Sequence, residues 1–319
     1  MSIIHARPIA SSLISPAGKA VLWIALASTW LLACDGQPWN RPYPAASARD
    51  NVFYSLFQER PKHLDPAQSY SSNETTFTGQ IYEPPLQYHY LKRPYELIPL
   101  TATEVPVATY LGADGQVLPE NAATDDIAWS VYDIHIKPGI MYQPHPAFAR
   151  DKLGTLRYHL LGADALSEIH ELGDFRHAGT RELTADDYVY QIKRLAHPQL
   201  HSPIFGLMSE YIVGLEAYAD TLKKAREETA DEKEGQGIYL DLTKYPLEGA
   251  ESIDRYTYRI KVHGKYPQLL YWLAMPFFAP VPPEVDQFYS QPGMKQRTIT
   301  LDWYPVGTGP YMLTINNPN

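Results

Sequence analysis

The sequence predicts a mixed α/β fold with α+β character, and three observations predict it. Period-two apolar alternation, as in Ser130–Lys137, occurs alongside helical spacing, as in Thr184–Ala196. The two patterns interleave irregularly and no internal repeat is present, so the class lies between alternating α/β and segregated α+β. The composition, 45% hydrophobic and 20% charged over 319 residues, supplies a core and excludes wholesale disorder.

The amino terminus reads as an export signal. Residues 1–19 hold Arg7 and Lys19 and no acid, and Ala20–Leu32 is almost wholly apolar. That run is too short for a bilayer, which needs ~20 residues. A buried core helix is the bland alternative, and the basic flank at the amino terminus favours the signal. The run ends Leu31-Leu32-Ala33-Cys34, and Cys34 is the single Cys of the chain. This resembles the bacterial lipobox, which implies a signal over residues 1–33 and acylation of Cys34, with the acyl chains holding a domain at a membrane surface. Asp35 resembles an inner-membrane retention signal. Residues 34–50, with Pro38, Pro42 and Pro44, read as an extended tether.

The folded part follows in order. Asn51–Gln58 is β-prone and reads as a first strand. Pro61 to Pro66 break it into a loop carrying Leu64-Asp65-Pro66. Ser72 or Asn73 is expected to cap a helix with Phe77 and Ile81 inward, stopped by Glu83-Pro84-Pro85. Ser130–Lys137 places Tyr132, Ile134 and Ile136 on one face and ends at Pro138-Gly139. Thr184-Ala185-Asp186-Asp187 is a capping box in its Asp variant, opening a helix with Val189, Ile192 and Leu195 inward that stops at His197-Pro198. A second helix is expected from Tyr211 to Glu228. Asp220–Gly237 mixes charges densely and reads as a solvated helix end and loop. Asp254–His263 reads as a strand with Tyr256, Tyr258, Ile260 and Val262 on one face, and Pro267–Met275 as a short apolar helix.

Several chemistries find no support. A net charge of −9 disfavours binding to nucleic acid. One Cys builds neither a disulfide nor a Cys-based zinc site. There is no nucleophile elbow, no zinc-protease helix and no Walker loop. Gly307-Thr308-Gly309-Pro310-Tyr311 leads into a strand-like Met-Leu-Thr-Ile rather than a helix, so a phosphate loop is disfavoured. His170 and His177 with their neighbouring acids read as scattered surface groups, not a metal site. His135 falls on the outer face of a strand, and His145 between prolines reads as part of a rigid loop. Asp125-Asp126 and Asp186-Asp187 are adjacent pairs that point apart, which does not suit acid/base work. The chain is read as a non-enzyme with no cofactor and no metal. Abundant Tyr, Trp and Phe in Pro-stiffened loops suit an aromatic binding cleft and equally a plain core.

Five segments in order add a resemblance. They are Leu64-Asp65-Pro66-Ala67 with the helix ending Ile81-Tyr82-Glu83-Pro84-Pro85-Leu86, then Tyr95–Leu100, Tyr132–Ile140, Thr184–Arg194 and Tyr304–Tyr311. Together they resemble the family 5 extracellular solute-binding proteins of ABC importers, the oligopeptide- and dipeptide-binding group. Tyr266–Phe278 resembles a longer subfamily with insertions. The resemblance implies a type II periplasmic-binding-protein-like clamshell. Lobe one would start at residues 51–86, carry an inserted subdomain over 87–305, and resume at 306–319 before the chain stops. On this expectation the sequence is an amino-terminal portion without a second lobe, and binds ligand weakly or not at all by itself. The implied partners are a peptide or similar solute, an ABC permease and, through the anchor, a membrane. By alignment, Tyr70, Ser71 and Ser72 are implied to lie along the peptide and pair with its backbone; the alternative is an ordinary capped loop. A cell-envelope hydrolase and a non-transport envelope lipoprotein built on the same subdomain remain the rival readings.

Overall fold

Period-two patterning builds the central sheet. In the computed structural model, which describes residues 53, 55–159, 161–230 and 239–316, β4 (Trp129–His135) pairs antiparallel with β6 (Thr257–His263) along its whole length. Tyr132 stands opposite Ile260, Ile134 opposite Tyr258 and Ser130 opposite Val262, so one face of both strands is buried. His135 ends β4 exposed, as its place in the alternation requires. β3 (Thr109–Leu111) and β5 (Ala250–Asp254) complete a four-stranded sheet in the order β3-β4-β6-β5. β1 (Leu86–Tyr88) and β2 (Leu97–Pro99) form a separate antiparallel hairpin.

Helix α1 (Ser72–Ile81) follows the Leu64-Asp65-Pro66 loop. α2 (Ala185–Leu195) packs on β5 and β6, and Tyr188 stacks on Tyr258 with ring centres 5.0 Å apart. Its capping box forms as expected, the Thr184 N–H donating to Asp187 Oδ2 at 3.0 Å. α3 (Phe205–Tyr211), α4 (Leu215–Ala230), α5 (Leu269–Trp272) and α6 (Pro283–Tyr289) pack around the same core. No helix among the described residues is long and apolar enough to cross a membrane.

Five expectations are corrected. The described residues of the first expected strand, Phe53 and Ser55–Gln58, form none, because no neighbouring strand among the described residues receives their N–H and C=O groups. Ser71, not Ser72 or Asn73, caps α1, because Glu74 stands three residues on and completes the box. The helix expected from Tyr211 starts at Leu215 instead, because Tyr211 ends the preceding helix, Ile212 bridges to Val262 and Gly214 takes a positive φ of 75°. The strand expected over Asp254–His263 is a hairpin: Asp254 ends β5 and Tyr256 sits in the turn, off the buried face. Met312–Ile315 is not a strand: it pairs with no described strand, and the backbone leading into it is bonded to the end of α1. Gly309 N–H donates to Ile81 O at 2.9 Å, and Tyr311 N–H to Gln80 O at 3.3 Å. The expected signal, Cys34, the tether and residues 231–237 of the charged loop lie outside the described residues.

The Gly307-Thr308-Gly309 segment crosses the C-terminal end of α1 at van der Waals distance. A Cβ on Gly307 would stand 1.9 Å from Ile81 O, whereas one on Gly79 would meet nothing within 4 Å. The glycines therefore serve backbone approach. Gly307→Ala is expected to destabilise the chain by roughly 1–3 kcal/mol in urea unfolding. Gly79→Ala, inside α1, is expected to stabilise it by roughly 0.5–1 kcal/mol. Equal midpoints for the two variants would contradict this packing.

Candidate functional site

Burial changes abruptly along one loop. Leu64, Asp65, Pro66, Ala67 and Ser69 are buried, while Tyr70, Ser71 and Ser72 are exposed, Tyr70 by 67%. The loop is thus half anchor and half presented surface.

The anchor is an ion pair between residues 129 positions apart. Arg194, near the end of α2, donates to Asp65 through Nη1 to Oδ1 at 2.9 Å and Nη2 to Oδ2 at 2.7 Å. Both side chains are almost fully buried. Each is then held by further bonds, as a buried charge requires. Asp65 Oδ1 accepts the Ala67 N–H at 2.9 Å, and Arg194 Nη1 also donates to Gln191 Oε1 at 3.0 Å. Gln191 Nε2 donates in turn to Phe277 O at 3.0 Å. Arg194 Nε lies 3.5 Å from Asp286 Oδ1 on α6, and Tyr190 OH donates to the other oxygen of Asp286 at 2.8 Å. α2 therefore differs from the amphipathic helix its spacing suggests. Apart from Asp186 it is buried all round, polar residues included.

Two more carboxylates shape the loop. Asp302 Oδ1 accepts the Leu64 and Asp65 N–H groups at 3.1 and 3.0 Å, and its Oδ2 lies 3.2 Å from His63 Nδ1. Burial and the nearby Asp65 push the Asp302 carboxyl above its ordinary range. Glu74 takes four donors. Its Oε1 accepts Lys62 and His63 N–H at 3.1 and 2.9 Å, and its Oε2 accepts Tyr70 and Ser71 N–H at 2.9 and 3.1 Å. Burial pushes Glu74 up, but these backbone donors outweigh it and hold the carboxyl below its ordinary value. The Gln68 and Ser69 N–H groups donate to Asp65 O at 3.0 and 2.9 Å. Every backbone N–H from Lys62 to Ser71 consequently has an acceptor inside the fold, Pro66 having none to give.

This fixes what the exposed part offers. The Tyr70 and Ser71 N–H groups are already engaged, and the Ser71 and Ser72 carbonyls accept from Thr75 and Thr76 as α1 opens, so the segment presents mainly its side chains. The Tyr70 ring rests 6.0 Å from that of Phe277, and Ser72 opens α1. A cavity of about 380 Å³ opens beside the ion pair, lined by Asp65, Arg194, His197, Tyr239, Asp286 and Asp302 among others.

The remaining histidines do other work. His145 is buried, accepting the Ala147 N–H on Nδ1 at 3.1 Å and standing 2.8 Å from Tyr289 OH through Nε2. Since the Tyr289 hydroxyl donates to Tyr304 O, His145 is a neutral ring with its proton on Nε2. Burial pushes its pKa down to about 3, and that of His197 to about 4. His170 and His177 are both exposed, and no group of three potential ligands suits a metal among the described residues. Sequence reading missed Asp65–Arg194, Asp302 and Glu74. Only the Ser71-Ser72-Asn73-Glu74 capping box had a local signal that would have found one of them.

Residues 177–319 match the model of the bacterial extracellular solute-binding proteins, family 5, in its middle part. No curated protein matches the chain. Among solved structures, the chain resembles the ABC transporter-associated periplasmic binding protein DppA from Helicobacter pylori in complex with the peptide STSA, at 18% identity and TM-score 0.44, covering 80% of this chain and 35% of that one. It also resembles Listeria monocytogenes OppA bound to peptide, at 16% identity and TM-score 0.44, covering 79% and 34%. The Escherichia coli murein tripeptide binding protein MppA aligns at 16% identity and TM-score 0.47, covering 82% and 35%. The chain thus spans about a third of the length of these structures.

Two outcomes follow from the geometry. Asp65→Asn leaves Arg194 buried without a full counter-charge and is expected to cost roughly 3–5 kcal/mol in chemical unfolding; a loss below about 1 kcal/mol is the range of an exposed pair and would contradict the burial. The neutral His145 and His197 rings bind protons more weakly folded than unfolded, so their contribution is complete above their ordinary pKa of 6.5. It is lost as pH falls from 6.5 toward 4 and 3, with Glu74 adding to the loss only below its ordinary 4.5 and Asp302, held above its ordinary 3.8, offsetting part of it at the acid end. The melting temperature should fall across that window; a flat profile would contradict the buried neutral rings.

Proposed function

We propose that this chain, whose residues 177–319 carry the family 5 solute-binding match, is the extracytoplasmic solute-binding component of an ABC importer and that its solute is a peptide. The observation that carries the reading is the Asp65–Arg194 pair. Leu64-Asp65-Pro66 and Thr184–Arg194 are two of the segments on which the resemblance rests, and they meet in one buried contact. The contact holds Tyr70, Ser71 and Ser72 on the surface, where we place the ligand. With the Tyr70 and Ser71 N–H groups held by Glu74 and the Ser71 and Ser72 carbonyls taken up by α1, a peptide would be met by the Ser71 and Ser72 hydroxyls and the Tyr70 ring.

In the same reading Cys34 carries the lipid, residues 34–50 reach from the inner membrane to the domain, and residues 87–305 are a subdomain inserted into lobe one between residues 51–86 and 306–319. No chemistry is performed on the ligand. A cell-envelope hydrolase, or an envelope lipoprotein outside transport, are the competing outcomes. Peptide accumulation by intact cells separates them. Deleting the gene should abolish uptake of a labelled peptide while leaving uptake of its free amino acids intact, and Tyr70→Ser should weaken it. Unchanged uptake in the deletion, or sustained peptide cleavage by the pure protein, would overturn the reading.

A further inference from the structure

The turn of the β1–β2 hairpin, Tyr88–Glu96, presents an unusual set of side chains. Tyr90 is 88% exposed, Leu91 77% and Tyr95 63%. Their backbone is nonetheless ordered. His89 N–H donates to Glu96 O at 2.8 Å, and His89 Nδ1 accepts the N–H groups of Leu91 and Lys92 at 3.2 and 3.3 Å. Behind them, Tyr95 meets Tyr88 edge-on at 5.7 Å, and Tyr88 stacks on Tyr271 at 6.3 Å. The Arg93 guanidinium lies 4.4 Å over the Tyr95 ring. Lys92 pairs with Glu96 at 2.8 Å, but both side chains are about half exposed, so the pair is weak and readily exchanged.

Apolar and amphipathic side chains held outward, with two cations beside them, match the chemistry of a bilayer interface. Tyrosine places its ring among headgroups, leucine adds apolar burial, and Lys and Arg extend their charge to phosphate. The turn carries two cations against one carboxylate within a chain of net charge −9, so it is a locally basic spot. A protein partner needs ~800 Å² on each side, more than a few tip side chains offer. We propose that the Tyr88–Glu96 turn is a membrane-contact surface that seats in the headgroup region of an anionic phospholipid bilayer. It acts independently of any lipid on Cys34, and would fix how the domain faces the membrane.

The test reads the turn itself. In the full chain carrying Cys34→Ser, a polarity-sensitive fluorophore is attached through Leu91→Cys, or through Leu153→Cys, a still more exposed position in another turn. Phosphatidylcholine vesicles containing phosphatidylglycerol should shift the emission at position 91 to the blue and make it quenchable by brominated lipid, with position 153 unmoved. Lys92→Glu with Arg93→Glu should lower the apparent vesicle affinity about thirtyfold or more. The amino-terminal apolar run is common to all samples and cannot produce a difference between them. Unchanged emission at position 91, equal shifts at both positions, or a shift indifferent to the double charge reversal would each overturn the proposal.

Discussion

The fold around the candidate site depends on one buried charge pair. Asp65 and Arg194 are both removed from water, and neither is tolerable there alone. Their bidentate geometry resolves that cost and joins the loop before α1 to α2, which lies against the central sheet. Gln191 and Asp286 extend the same network to Phe277 and α6. Loop, helix and sheet thus share one polar core, and the position of Tyr70–Ser72 is set from within it.

The second constraint is hydrogen-bond accounting. Three carboxylates and the Asp65 carbonyl absorb every N–H from Lys62 to Ser71 that the chain can offer. A loop satisfied in this way has little reason to rearrange, because each alternative conformation would strand donors. For a surface that meets a ligand, such rigidity lowers the ordering cost of binding. The same closeness governs the other end of the chain, where Gly307 and Gly309 let the backbone pass against the last turn of α1.

Much of this was legible in the sequence where the signal is local. The alternation of β4, the capping box at Thr184 and the helix stop before Pro198 depend on neighbours a few residues away, and each stands in the structure. Signals failed where tertiary context decides. Asn51–Gln58 has strand propensity, but its described residues find no partner. The helix expected from Tyr211 starts only after Gly214, whose φ no local pattern specifies. The Leu64-Asp65-Pro66 and Arg194 segments were recognised as motifs. Nothing in their spacing says that they touch, because a 129-residue separation leaves no periodicity to read. Buried polar residues are the hardest case: Gln191 and Arg194 on α2 look like a solvated face until their partners are known.

A double-mutant cycle on Asp65→Asn and Arg194→Met tests the central claim most directly, read as unfolding free energies in urea. If the pair anchors the loop to α2, the double variant recovers much of what each single variant loses, because no lone charge remains buried. A coupling energy of roughly 2–3 kcal/mol is then expected. Additive losses, within about 0.5 kcal/mol, would show that the two residues act independently and would contradict the account.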